Sequence, residues 1–399
     1  MHRKDINGVS VILPCLNEEQ SIRQAIEAAR RGIAKLGLPD AEVIVVDNGS
    51  VDNSALRALE AGARVVHEER RGYGSALRRG FKEARFPLMI MGDSDLSYDF
   101  EKIDELAGPI LEGRADFVIG NRMRDIKPGA MPGLHRYLGN PVLSLMLRIL
   151  FRSNAVHDAH CGLRAITREA YDRLKCVATG MEFASEMVIR AIRCGLRIAE
   201  RDITYHPRMG ESKLRSFTDG WRHVRFMLLH SPTMLLLAPG AFFWLLGLAA
   251  MLWLPFAPIR LFGLRLTGMH SMLFAGLLNM VSLQILTIGM LAKAYGHLSG
   301  LHEDVIVAWL YRRFNFETAI LISAPAVLFG LAVTAVIFVK WVASGGGSLD
   351  HPFLLFFAVV CLVNGVQLAA AAYLCSIMAL HRHIDRLPPS LEDIGQADL

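Results

Sequence analysis

Cysteine is scarce and unpatterned in this sequence. Among 399 residues only Cys15, Cys161, Cys176, Cys194, Cys361 and Cys375 are cysteines, and no two form a CxxC pair. That excludes a thiolate-held structural metal and a disulfide framework, and it leaves reduced, structural thiols in a cytosolic setting as the expectation. Met1-His2-Arg3-Lys4-Asp5 is not followed by an apolar stretch, so no cleaved signal peptide is expected. The net charge is only +5, and no basic stripe interleaved with aromatics runs along the chain, so nucleic acid is not an expected partner.

Apolar residues are abundant, at 52% of the chain, and unevenly spread. Residues 1–231 are mixed and charged, whereas 232–380 carry long apolar runs, which implies a soluble domain followed by a membrane domain. Four segments reach the roughly 20 apolar residues that a bilayer crossing needs. They are 233–254, 268–292, 318–341 and 352–380, with Gly345-Gly346-Gly347-Ser348 as a turn between the last two. Lys293, Arg312 and Arg313 follow the second segment, and Arg382 and Arg386 lie in the tail. Arg260, Arg265 and Lys340 lie on the other side. Arg208, Lys213, Arg215, Arg222 and Arg225 precede the first segment, and the combined bias puts the soluble first part, the second loop and both termini on the cytoplasmic face.

The first part alternates short apolar runs with helical patterns. Strands are expected at 9–13, 42–46, 64–67, 87–91 and 116–119, and helices at 18–35, 54–61 and 75–84. Short connections between such elements imply an α/β fold with a mostly parallel, doubly wound sheet. Two further helices, 135–151 and 216–230, combine apolar stripes with Arg, His or Trp neighbours, a pattern suited to the membrane interface.

The chemistry gathers where strands end. Asp93-Ser94-Asp95 follows the apolar run 87–91, and paired hard oxygens at the carboxyl edge of a sheet suit Mg²⁺ or Mn²⁺ holding a diphosphate. Pro14-Cys15-Leu16-Asn17-Glu18 ends the first strand, and Asp47-Asn48-Gly49-Ser50 ends the second, so their acids and amides reach the same edge. A carboxylate there accepts from a base N–H or a ribose hydroxyl. Gly72-Tyr73-Gly74-Ser75 opens a helix, where glycine permits close backbone approach and the helix N-terminus favours anions. Taken singly, each of these is also an ordinary cap or turn.

Together these motifs resemble the family 2 glycosyltransferases of the GT-A fold, of the dolichyl- or polyprenyl-phosphate sugar synthase type. Ile119-Gly120-Asn121-Arg122, Asp158-Ala159-His160-Cys161-Gly162-Leu163-Arg164 and Gly210-Glu211-Ser212-Lys213-Leu214 extend the likeness in family order. The resemblance implies a Rossmann-like GT-A domain at 1–214 with an interface helix at about 134–152. A juxtamembrane helix at 215–232, a four-helix membrane domain at 233–380 and a cytoplasmic tail at 381–399 would follow. It implies donor contacts at Pro14, Asn17, Glu18, Asp47, Asn48 and Gly72, and a metal and diphosphate site at Asp93 and Asp95. It further implies a donor-covering segment with Arg208, Ser212 and Lys213, and an acceptor phosphate held by Arg122 and Arg136, with Asp95 and these two arginines carrying catalysis. Nucleotide sugar, lipid phosphate and membrane lipids are the implied partners, and a homo-oligomer is compatible with the pattern. Three positions depart from relatives: Asn48 where a second Asp is common, Ser97 where a Gln often helps hold the metal, and Cys15-Leu16 in place of an aromatic. Two other readings stand beside this one. One is transfer to a lipid hydroxyl or polymer, with Glu182 or Glu186 as the acid, although the Gln-x-x-Arg-Trp motif of polymerising relatives is lacking. The other is a non-catalytic lipid carrier or scaffold.

Overall fold

The computed structural model describes residues 6–210, 216–261, 263–298, 316–347 and 351–384, and the chain divides into two units, Met1–His230 and Ser231–Leu399. Of the expected features, Ser212, Lys213, Arg215, Arg312, Arg313, Ser348 and Arg386 lie outside the described residues.

The first unit is built on a seven-stranded sheet of order β3-β2-β1-β4-β6-β5-β7. The strands are β1 (Gly8–Cys15), β2 (Asp40–Asp47), β3 (Arg64–His67), β4 (Leu88–Met91), β5 (Phe117–Ile126), β6 (Arg164–Thr167) and β7 (Ile198–Tyr205). All run parallel except β6, which pairs antiparallel with both β4 and β5. β1 and β4 are buried almost throughout, as strands covered on both faces must be. The helices α1 (Ile22–Leu36), α2 (Ser54–Glu60), α3 (Tyr73–Glu83) and α4 (Ile103–Leu111) follow strands in the expected alternation. Burial pushes the thiols of Cys15 and Cys161 up to about 12, so both are inert packing groups, and all six cysteines are unbridged.

Three differences from the expected elements have physical reasons. α1 begins at Ile22 rather than near Glu18, because Asn17 is in the left-handed region (φ +51) and the Glu18 N–H donates to Ser54 Oγ at 2.7 Å. β5 runs seven residues past Ile119, to Ile126, because β7 offers a partner along its length that a local pattern does not reveal. The helix at 135–151 opens with a π turn, His135–Gly139, and becomes α5 (Asn140–Phe151) only afterwards. Pro141 has no N–H to continue an α ladder, so the Asn140 N–H reaches back to His135 O.

After β6 come α6 (Arg168–Leu174) and α7 (Phe183–Arg193), and after β7 comes α8 (Ser216–Leu229). The π turn exposes Leu138, and α5 exposes Val142, Leu145 and Ile149 and buries Leu147; α8 exposes Phe217, Trp221 and Leu229 and buries His223 and Met227. Glu186 on α7 is fully enclosed. Its carboxylate accepts from Val177 N (2.9 Å), Ala178 N (2.7 Å) and Arg190 Nε (2.8 Å), so it clamps the segment before α7.

Among the described residues, the second unit has four helices long and apolar enough to cross a membrane: Thr233–Trp253, Gly268–His297, Ile320–Ala343 and Pro352–Met378. Their polar amides tie helices together. Asn364 Nδ2 donates to Asn279 Oδ1 at 2.7 Å, Asn279 Nδ2 to Trp244 O at 3.0 Å, and Gln367 Nε2 to Thr287 Oγ1 at 3.1 Å.

Glu186→Ala leaves Arg190 and two backbone N–H groups buried without their anion, a loss of about 3–5 kcal/mol. Heating the detergent-purified full-length protein should therefore unfold the first unit at a clearly lower temperature. An unchanged transition would mean that the clamp bears no load.

Candidate functional site

β1, β2 and β4 are neighbours in parallel register, with Cys15 opposite Asp47 and Ile12 opposite Met91. Their carboxyl ends therefore deliver Pro14, Asn17, Glu18, Asp47, Asn48, Asp93 and Asp95 to one edge. The loops are bonded to one another. Asn17 Oδ1 accepts from Val51 N at 2.8 Å, and Ser94 Oγ donates to Pro14 O at 2.8 Å. Asp47 is nearly buried; its Oδ1 accepts from Ser50 N (3.1 Å) and its Oδ2 lies 3.2 Å from His67 Nδ1. A cleft of about 840 Å³ is lined by Asn17, Glu18, Arg23, Asp52, Met209 and Gly210 among others, and it reaches the outer side of this edge without touching Asp47 or Asp93.

Asn48 spends its amide on the protein. Nδ2 donates to Glu68 O and Arg70 O, both at 2.9 Å, and Oδ1 accepts from Gly72 N at 2.7 Å. A carboxylate could donate to neither carbonyl, which accounts for Asn at this position and makes it a clamp on the 68–72 loop. Gly72 has φ +138, and a Cβ there would run into Thr179 O. Thr179 O also accepts from Ser75 N at 3.0 Å, so the α3 N-terminus expected to favour an anion is capped in part by protein.

Asp93 and Asp95 are held differently. Tyr73 Oη donates to Asp93 Oδ1 at 2.9 Å, and a Cβ on Gly162 would lie 2.9 Å from Asp93 Oδ2, so the glycine leaves room for this carboxylate. Burial, and next the Asp95 charge, push the Asp93 carboxyl well above its ordinary value. Asp95 Oδ1 accepts from Ser97 N at 3.0 Å, and the turn passes through Leu96 in the left-handed region (φ +64). Asp95 Oδ2 faces Arg208 Nη2 at 3.3 Å, and the same nitrogen lies 3.8 Å from Glu18 Oε1. The place between Asp95 and Glu18 thus already holds a cation. Among the described residues no group of three His, Cys, Asp or Glu side chains could hold a metal. A divalent ion at Asp93 and Asp95 would take its other oxygens from phosphate and water, as Mg²⁺ and Mn²⁺ do readily. The donor set fits that use.

Arg122 is buried, and Asp158, fully enclosed, accepts from its Nε (2.7 Å), Nη2 (2.8 Å) and backbone N–H (3.1 Å). Burial opposes the Arg122 charge, but Asp158 outweighs it and holds the guanidinium protonated well above its ordinary range. The pair uses Nε and Nη2 and leaves Nη1 outside it. Arg136 stands half-buried on the π turn, with its guanidinium 5.4 Å from the centre of the Tyr137 ring. No hydrogen bond or ion pair among the described residues joins it to Arg122 or to the acids.

Sequence reasoning passed over a cluster beside these groups. His160 Nε2 lies 3.1 Å from Ser185 Oγ, which lies 2.7 Å from His223 Nδ1 on α8, and the two rings meet edge to face at 4.5 Å. Burial lowers both imidazoles, His160 well below 6.5 and His223 to about 4. The only signal was the His in the Asp158–Arg164 motif. Glu182 Oε1 accepts from Gly180 N at 3.1 Å, while its Oε2 is buried with no hydrogen-bond partner. Of the two acids weighed for acceptor chemistry, Glu186 is excluded as a base because its oxygens are saturated by Val177, Ala178 and Arg190.

The sequence matches glycosyl transferase family 2 over residues 10–175 and the glycosyltransferase family 2 C-terminal transmembrane region over residues 290–379. It is 36% identical over 367 residues to the low-salt glycan biosynthesis hexosyltransferase Agl6 of Haloferax volcanii, covering 92% of this chain and 88% of that one. It is 34% identical to a dolichyl-phosphate hexose transferase of the same organism, covering 54% of this chain and 90% of the relative. A solved glucosyl-3-phosphoglycerate synthase of Mycobacterium tuberculosis, in complex with Mn²⁺, UDP and glucosyl-3-phosphoglycerate, superposes with a TM-score of 0.46 at 26% identity. That superposition covers 57% of this chain and 81% of the synthase.

The neutral histidines have a pH consequence. His223 binds its proton more weakly in the fold, at about 4, than at the ordinary 6.5, so its neutral form contributes stability that is complete above pH 6.5 and lost as pH falls toward 4. His223→Gln should flatten the fall in stability over that window, read by denaturant unfolding at stepped pH. A slope equal to that of the parent protein would contradict the assignment.

Proposed function

The chain belongs to glycosyltransferase family 2 and is a glycosyltransferase with apolar, membrane-type helices in its C-terminal half, and on that footing we propose that it moves a hexosyl residue from a nucleotide sugar to a polyprenyl or dolichyl phosphate at the cytoplasmic membrane face. The observation that carries this reading is the convergence of Glu18, Asp47, Asp93 and Asp95 at one sheet edge with Arg208 between Asp95 and Glu18. Similarity to a dolichyl-phosphate hexose transferase supports the acceptor class, and the basic bias of the loops supports the orientation.

Asp47 and Glu18 would accept from the ribose and base of the donor, with Pro14 and Asn17 shaping the loop around them and Asn48 and Gly72 setting the neighbouring one. Asp93 and Asp95 would hold Mg²⁺ or Mn²⁺, which supplies charge stabilisation for the leaving diphosphate. Arg208 adds a second positive charge there, and Ser212 and Lys213 would complete the cover. The acceptor phosphate is mostly dianionic at neutral pH, because its second pKa is about 6. It needs no general base, only aim. One phosphate oxygen bonds to the anomeric carbon while the carbon–oxygen bond to the diphosphate breaks and its electron pair leaves with the nucleoside diphosphate. A single displacement inverts the anomeric centre. Arg122, with two nitrogens committed to Asp158, contributes field and Nη1; Arg136 is the arginine left for two-pronged phosphate contact.

Glu182 favours a second reading. Its buried, unpartnered Oε2 is the group that a hydroxyl acceptor, such as diacylglycerol, would require as a base.

Purified protein with Mn²⁺ is offered radiolabelled GDP-mannose, UDP-glucose, UDP-N-acetylglucosamine and UDP-galactose against polyprenyl phosphate, and separately against diacylglycerol. Label is expected in the organic phase with lipid phosphate only, and Asp95→Asn is expected to lower transfer at least about 100-fold. Label that stays aqueous with every donor, or moves only with diacylglycerol, defeats the proposal. Arg136→Ala should raise the KM for lipid phosphate about tenfold with little change in the KM for donor; equal effects on both would remove Arg136 from the acceptor.

A further inference from the structure

Among the described residues, Arg208 is the cation whose guanidinium faces Asp95 and Glu18 directly. Arg122 is committed to Asp158, and Arg164 donates its guanidinium to the carbonyls of Cys161, Ala184 and Ala159. The backbone around Arg208 is pinned to the same turn that carries Asp95: Met209 N donates to Asp95 O at 2.9 Å, and His206 N donates to Ser97 O at 3.0 Å. The side chain is held far more loosely. One nitrogen faces Asp95 at 3.3 Å and Glu18 at 3.8 Å, and Nε is buried with no hydrogen-bond partner. A structural arginine normally engages two or more of its nitrogens, as Arg122 and Arg164 do here; among the described residues Arg208 engages one.

We infer that Arg208 is the resident cation of the empty donor site and an exchange residue that makes the site select a metal–nucleotide complex over a free metal ion. This inference rests on the donor-site reading above and adds a role to it. With no donor present, the guanidinium neutralises Asp95 and Glu18 and competes with any divalent ion for the Asp95 oxygens. When metal and nucleotide arrive together, Asp95 turns to the metal and the freed guanidinium finds a new anion in the diphosphate. The anchored backbone keeps it within reach of both partners. The exchange couples the two ligands, and the coupling is reciprocal: nucleotide must strengthen metal binding by the factor with which metal strengthens nucleotide binding.

The test uses full-length protein in detergent and reads free Mn²⁺ by electron paramagnetic resonance, with and without GDP or UDP, so that no turnover is needed. In the parent protein, Mn²⁺ alone should bind weakly and nucleotide should tighten it roughly tenfold or more, a size usual for linked sites. Arg208→Gln and Arg208→Met should each bind Mn²⁺ alone about tenfold more tightly than the parent, with the nucleotide enhancement reduced to near unity. Arg208→Lys should keep the parental pattern. Nucleotide-free Mn²⁺ affinity that is unchanged or weaker in both neutral variants overturns the exchange and leaves the donor site standing. Parent protein that binds no Mn²⁺ with either nucleotide overturns the donor site and the exchange with it.

Discussion

The structure turns on the crowding of negative charge at one end of a parallel sheet. β1, β2 and β4 run side by side in the same direction, β1 and β4 buried almost throughout and β2 from Val43 to Asp47, and that arrangement brings Glu18, Asp47, Asp93 and Asp95 to a shared edge. Such a set is costly when empty, since burial and mutual repulsion both resist ionisation. The upward push on Asp93 is the local sign of that cost. The same repulsion suits the site to a divalent cation with a diphosphate.

The remainder of the first unit braces this edge. The fully enclosed Asp158 fixes Arg122, Arg164 gathers three carbonyls beneath the loop, and Gly162 leaves the space that the Asp93 carboxylate occupies. Asn48 ties the 68–72 loop, so Tyr73 arrives in place to donate to Asp93. The His160–Ser185–His223 contacts attach α8 to the loop that carries Asp158 and Gly162, so the helix that precedes the first apolar span in sequence is bonded into the wall of the site. α5 and α8 show their apolar faces outward, an arrangement suited to chemistry on a lipid held at a membrane surface.

Much of this could be read in the chain before the fold was seen. The alternation from β1 to β4, the acids at the strand ends and the four apolar helices all follow from local patterns, because buried strands and spans are short-range signals. β6 and β7 were not visible: one is four residues long with a buried arginine, and the other is half-buried along its length. The same limit applies to the site. Asp93 and Asp95 stand out as a motif, but the Asp158 partner of Arg122, the clamp made by Asn48 and the position of Arg208 between Asp95 and Glu18 depend on contacts between distant segments. Glu182 and Glu186 look alike in sequence; only the three donors around Glu186 separate a structural acid from one with an uncommitted oxygen.

The central claim is that the acceptor is itself an anion, so the site supplies charge and aim rather than a base. The linkage in the product decides it most directly. The lipid formed from an α-linked donor, carbon-13 labelled at the anomeric carbon, is isolated and examined by phosphorus-coupled NMR. The account predicts an anomeric carbon coupled to phosphorus, with the one-bond carbon–hydrogen coupling of the β anomer. An anomeric carbon with no phosphorus coupling, or one that retains the α configuration, would contradict it.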